Sequence, residues 1–114
     1  PYTAFSARKS YMEQNPQIIQ SFTNALQKGM DYVNSHTPEE IAQIIQPQFS
    51  ETDLNQITTI VKRYHDQDTW KENLIFEQDA FELLQDILID AKELDTRVPY
   101  EQLVVKKYAE NAAQ

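Results

Sequence analysis

Few side chains in this sequence could carry chemistry. His36 stands between two helical stretches beside a helix-cap residue and reads as a solvated surface group. His65 opens the run His65-Asp66-Gln67-Asp68, whose residue types could ligate a cation. A calcium loop, however, needs a glycine turn and a distal bidentate glutamate, and zinc needs a converging set of thiolates, imidazoles or carboxylates. Neither pattern is present, so the run reads as an acidic loop. Ser6, Ser10, Ser21, Ser35 and Ser50 lack the strand–turn–helix setting that activates a serine nucleophile. Glu39 and Glu40 suit the positive end of a helix, while Glu82, Asp86 and Asp90 recur at helical spacing as a solvated face. No carboxylate has an apolar setting that would tune it for acid–base work. No catalytic constellation, metal site or cofactor is expected, and the chain is read as non-enzymatic.

Binding is better represented than catalysis. Trp70 sits in the polar run Asp68-Thr69-Trp70-Lys71. An indole left in water wastes a large apolar area, so it should pack on something. It is either a lid on a helical core or a contact across a cleft to a ligand or another domain. Tyr2 and Thr3 are the second candidates, an aromatic and a polar group on an extended segment of the sort that enters a sheet beside a ligand cleft.

Composition narrows the partners. The net charge is −8, from ten basic and eighteen acidic residues, which disfavours nucleic acid and anionic membrane surfaces. No apolar run is long enough to span a bilayer. Cysteine is absent, which excludes disulfides, thiolate metal sites and cysteine nucleophiles within these residues. One glycine in 114 residues argues against a turn-rich β fold and against any glycine-rich phosphate loop.

These groups must be positioned by helices. Residues 2–7, Tyr-Thr-Ala-Phe-Ser-Ala, read as a β-strand, yet nothing later looks like its partner. Asn15-Pro16 then opens a helix, with asparagine as cap and proline at the first helical position. Ile18, Ile19, Phe22, Ala25, Leu26, Gly29 and Val33 form one apolar stripe along it, and Gly29 is read as a point of close helix packing. Thr37-Pro38-Glu39-Glu40 is a capping box, and Pro47 ends the short helix it starts. Ser50-Glu51-Thr52-Asp53 starts a third helix, carried by Leu54, Ile57, Val61 and Tyr64. Residues 65–76 lose the period and form a loop. A fourth helix runs from about Glu77 to Lys92 on Ala80, Phe81, Leu84, Ile87, Leu88 and Ala91, and a fifth starts at Pro99 with Leu103, Val104 and Tyr108 facing inward. The expectation is a mainly α chain, about five helices preceded by one N-terminal β-strand, with residues 1–114 forming a single helical unit.

The stretch PYTAFSARKSYMEQNPQIIQSFTNALQKGMDYVNSHTPEEIAQII resembles the C-terminal portion of ABC-importer solute-binding proteins. The subfamily is the one for nitrate, sulfonate, taurine and thiamine-pyrimidine precursors. The likeness rests on the small-residue run Thr3–Arg8, on Tyr11, Asn15, Pro16, Phe22 and Ala25, and on the Thr-Pro-Glu-Glu start followed by Ala42. The stretches RYHDQDTW and AKELDTRVPYEQLV are similar to the same family, so the resemblance covers nearly the whole chain.

The resemblance implies a fragment, about a third, of a two-lobed α/β protein of the periplasmic-binding-protein-like type II fold. Residues 1–8 would be a strand returning to a sheet made upstream, and a start at Pro1 in place of methionine fits an excised or processed chain. The implied mechanism is capture of a small solute by hinge closure and delivery to a membrane permease. The implied location is extracytoplasmic, in the periplasm or on a cell-surface lipoprotein. Tyr2, Thr3 and Trp70 are the expected ligand contacts within this piece. Two alternatives stand: a free-standing acidic helical interaction module, and a fragment of a thiamine-pyrimidine synthase-like enzyme, whose cysteine-rich motif would lie upstream. An orphan strand could also pair two copies of the fragment.

Overall fold

The structure, a computed structural model, describes residues 4–114. Every regular element among them is helical: α1 Lys9–Gln14, α2 Pro16–Ser35, α3 Pro38–Ile45, α4 Leu54–Asp66, α5 Gln78–Asp90, α6 Tyr100–Leu103 and α7 Lys107–Ala112, with a 3₁₀ turn at Gln46–Gln48. They fall into two compact units, Ala25–Asn73 and the pair of segments Pro1–Asn24 and Leu74–Gln114, and α2 contributes one part to each.

The expected N-terminal strand is therefore corrected. Residues 4–8 have no regular structure, no strand or sheet occurs among the described residues, and helix begins at Lys9, six residues before the Asn15-Pro16 signal. A strand is stable only when its backbone groups pair with a neighbour, and the described residues supply none. Phe5 instead packs its ring against Phe22 on α2, edge to face at 5.1 Å and 79°. Tyr2 and Thr3 lie outside the described residues.

The unit Ala25–Asn73 is built on α3 and α4. The capping box forms: the Glu40 amide donates to the Thr37 hydroxyl, while Glu40 Oε2 accepts from the Thr37 amide at 2.9 Å and from its hydroxyl at 3.1 Å. Asp53 caps α4 by accepting from the Gln56 amide at 3.1 Å. With both helices started in register, Ile41 and Ala42 meet Ile57 and Val61 in a buried cluster, flanked by Tyr32, Val33, Ile45, Leu54 and Trp70.

Gly29, in the same unit, is corrected as well. It is exposed, and a methyl group built on its α-carbon meets nothing within 4 Å, so no close packing requires it.

The unit Pro1–Asn24 with Leu74–Gln114 buries Phe81 and Gln85 on α5 and Tyr108 and Ala109 on α7. Phe81 stands edge-on to Phe76 at 5.8 Å and to Tyr100 at 5.6 Å, and the Tyr100 hydroxyl donates to the Phe76 carbonyl. Gln85 acts as a substitute strand partner: its Oε1 accepts from the Val98 amide at 2.7 Å and its Nε2 donates to the Val98 carbonyl at 3.2 Å. Gln20 on α2 donates to the Tyr108 carbonyl at 3.0 Å and accepts from Asn111 at 3.1 Å. The expected fifth helix is split into α6 and α7: Tyr108 is buried as foreseen, but Leu103, expected inside, is exposed at the end of α6.

Two outcomes follow from these local geometries. Gly29→Ala should raise the stability of the chain in urea denaturation by about 1 kcal/mol, since alanine is the better helix former and has free space here. Hydrogen bonds from the Thr37 amide, first, and its hydroxyl, second, hold the Glu40 carboxyl below its ordinary value of 4.5. A carboxyl lowered on folding stabilises above its unfolded pKa, and that contribution is lost as pH falls through the folded one. Glu40→Gln should therefore be less stable than the parent at neutral pH, with the gap closing below about pH 4.5 in thermal melts taken across pH.

Candidate functional site

Trp70 is the one expected ligand contact that falls within the described residues. Its loop is built by the end of α4. The Asp68 amide donates to the His65 carbonyl at 3.0 Å and the Thr69 amide to the Tyr64 carbonyl at 3.1 Å, while Asp68 takes a left-handed φ of 52°. This is a Schellman cap with aspartate where glycine is usual. Asp68 tolerates the conformation better than most residues and pairs with Lys71. The cap reverses the chain sharply and lays Trp70 back on α4.

There Trp70 packs on the Ile41–Ala42–Ile57–Val61 cluster and meets Tyr64 edge to face at 5.9 Å and 71°. It is partly buried, so one portion of the indole covers the core and the rest faces solvent. The lid role is thus visible directly.

Two amides of α2 strap the following backbone down. Gln27 Nε2 donates to the Glu72 carbonyl at 2.9 Å, and Asn34 Nδ2 to the Lys71 carbonyl at 3.0 Å. Gln27 also donates to Asp31 Oδ1 at 2.9 Å, which orients its amide. Gln27 is buried, and its Oε1 accepts no hydrogen bond from the described residues. A buried, unpaired acceptor costs free energy, on the order of 1–3 kcal/mol, unless something donates to it.

Sequence reading passed over Gln27 and Asn34. A usable signal was there: Gln20, Gln27 and Asn34 recur every seven residues, which puts three amides on one face of a helix. Amides at that spacing fit a row of clamps for backbone carbonyls, because they donate strongly without a charge to desolvate.

The remaining polar groups do structural work. His65 lies in the last turn of α4, where a basic group suits the negative helix end. His36 stacks on Tyr32 with centroids 3.6 Å apart. Among the described residues no three His, Asp or Glu side chains gather to hold a metal ion. What the Trp70 region presents to solvent is the part-exposed aromatic edge of the indole, whereas the unpaired Gln27 oxygen is buried.

The chain is similar to a curated protein of Bacillus subtilis (strain 168) named "Putative binding protein YtlA". The two are 36% identical over 110 residues, which is 96% of this chain and 33% of that protein. The chain thus spans about a third of the length of the curated relative it matches. No protein-family model matches the chain, and no solved structure does.

Removing the indole should expose the core. Trp70→Ala is expected to lower stability by about 2–3 kcal/mol in chemical denaturation, below the range for a fully buried aromatic because Trp70 is only partly covered. Trp70→Phe, which keeps a ring against Tyr64, should cost less than about 1.5 kcal/mol.

Proposed function

We propose that this chain is part of a non-enzymatic solute-binding protein serving an ABC importer. The observation that carries the reading is the identity of 36% over nearly the whole chain with a protein named as a binding protein. The resemblance of the 1–45 stretch, RYHDQDTW and AKELDTRVPYEQLV to the C-terminal portion of nitrate-, sulfonate-, taurine- and pyrimidine-precursor-binding proteins supplies the subfamily. The match to only a third of the relative accords with a piece of a two-lobed protein. The helical character of the described residues is compatible with this, because the sheets of such a protein would be formed by polypeptide elsewhere in it.

On this reading the whole protein captures a small anionic or heterocyclic solute by closing two lobes around it. It acts outside the cytoplasm, in the periplasm or as a cell-surface lipoprotein, and docks in its closed form on a permease. Ligand stabilises the closed form by contacting both lobes, with no bond made or broken. Tyr2, Thr3 and Trp70 remain the candidate contacts from this portion. Trp70 has the better physical case, because its indole is held in place by the core on one side and open on the other.

The test is ligand-dependent stabilisation of the full-length protein. Screening taurine and other sulfonates, nitrate and thiamine-pyrimidine precursors by thermal shift should give one class that raises Tm progressively. The expected stabilisation is about 2.7 kcal/mol at a hundredfold excess over Kd. The 114-residue chain alone should show no shift. A full-length protein that responds to none of these classes, or a comparable shift with the 114 residues alone, would overturn the reading.

A further inference from the structure

The Trp70 segment is fastened to its unit largely by side chains. At its start, the Asp68 and Thr69 amides close the turn after α4. Beyond Trp70, the Lys71 and Glu72 carbonyls accept from Asn34 Nδ2 at 3.0 Å and Gln27 Nε2 at 2.9 Å. Residues 67–73 thus form a strap, with a turn at one end, amide fastenings at the other and a half-buried indole between. Three features keep its closed form only modestly favoured. Asp68 occupies left-handed backbone, which costs a residue with a β-carbon. Gln27 is 6% exposed, and its Oε1 is buried without a donor among the described residues, a penalty that ends once solvent reaches it. The Asp68–Lys71 pair is exposed, so solvent screens it and it adds little. The Ile41–Ala42–Ile57–Val61 cluster, by contrast, is made by α3 and α4 alone, so it need not come apart when the strap lifts.

We propose that residues 67–73 are a latched lid: they lift from the α3–α4 core as one segment while both helices stay folded, and Gln27 is the latch that sets how often. Segments with few buried apolar contacts and exposed backbone open at lower free energy than the core they cover. The chemistry of Gln27 suits the role. Asp31 Oδ1 accepts one of its amide hydrogens at 2.9 Å. An ionised carboxylate can only accept, so it turns the Nε2 end of the amide inward and leaves the second hydrogen aimed at the Glu72 carbonyl. Asp31 is therefore a positioning residue for the latch. Asn34, seven residues on, is a weaker second fastening because it is exposed and water competes for its carbonyl. Opening frees the Trp70 ring from the core, and a partner that prefers the lifted indole would shift the lid by that preference. None of these contacts depends on the transport reading.

Val61→Cys puts a thiol in the cluster that the indole covers, at a position 2% exposed. Ala109→Cys, buried in the other unit, is the control for wholesale unfolding. Both are made in the protein encoded by the complete reading frame, and the 114 residues contribute no cysteine of their own. Iodoacetamide labelling is read peptide by peptide by mass spectrometry across low urea concentrations. The thiol at 61 should label about tenfold or more faster than global unfolding allows, at a rate nearly flat in urea, because lifting the lid exposes little surface. Gln27→Met, which keeps the bulk of the side chain and loses both donations, should speed labelling at 61 by about fivefold and leave 109 unchanged. Asn34→Ala, at an exposed site that spares the fold, should speed it by about twofold. Asp31→Ala should act in the same direction as Gln27→Met, whereas Asp31→Asn, whose carbonyl oxygen still accepts, should restore most of the parent rate. Labelling at 61 that climbs with urea in step with the unfolding transition would overturn the proposal. So would a rate at 61 that none of the latch variants moves, or one that rises no more than the rate at 109.

Discussion

The order around Trp70 depends on the contact between α3 and α4. Ala42 is wholly buried and Ile41, Ile57 and Val61 nearly so, and each of the larger three is worth about 1.5–3 kcal/mol when removed from water. Without this cluster Trp70 would have no surface to cover, the Schellman turn after α4 would have nothing to fold back onto, and the amides of α2 would have no fixed carbonyl to meet. The caps at Thr37 and Asp53 matter for the same reason, since they set where each helix starts and hence which side chains face the cluster.

Neutral amides take over the pairing that a sheet would otherwise provide. Gln85 offers Val98 a donor and an acceptor together, as a neighbouring strand would. Gln27 and Asn34 hold the carbonyls of Glu72 and Lys71, and Gln20 holds that of Tyr108. A chain with a net charge of −8 gains from this choice. An amide satisfies a buried carbonyl without the desolvation that a lysine or arginine would bring. The exception is Gln27, whose two donations leave its oxygen buried and bare.

Much of the remaining apolar surface stays in solvent. Phe5, Ile18, Ile44, Phe49, Leu83, Ile87 and Leu103 are all more than half exposed. Single exposed hydrophobics need no explanation, whereas Leu83 and Ile87 form a ridge at helical spacing on α5.

Local signals were readable from the residues alone. Asn15-Pro16, Thr37-Pro38-Glu39-Glu40 and Ser50–Asp53 announce α2, α3 and α4, because caps and proline act within a turn of the chain. The periodicity of Leu54, Ile57 and Val61 likewise marks the inner face of α4, and the resemblance to binding proteins came from motif order. Tertiary structure decided the rest. Residues 4–8 became irregular because a strand's stability resides in its partner. Gly29 proved to face open space, and Ile87 and Leu103 proved exposed, because period states that a face is apolar but not what covers it. Gln27 and Asn34 became clamps only when the Trp70 loop was folded back within their reach. Sequence thus determined where helices begin and which sides are apolar, since those depend on neighbours in the chain, whereas which sides are buried and which amides find carbonyls depends on segments distant in sequence and was settled only by folding.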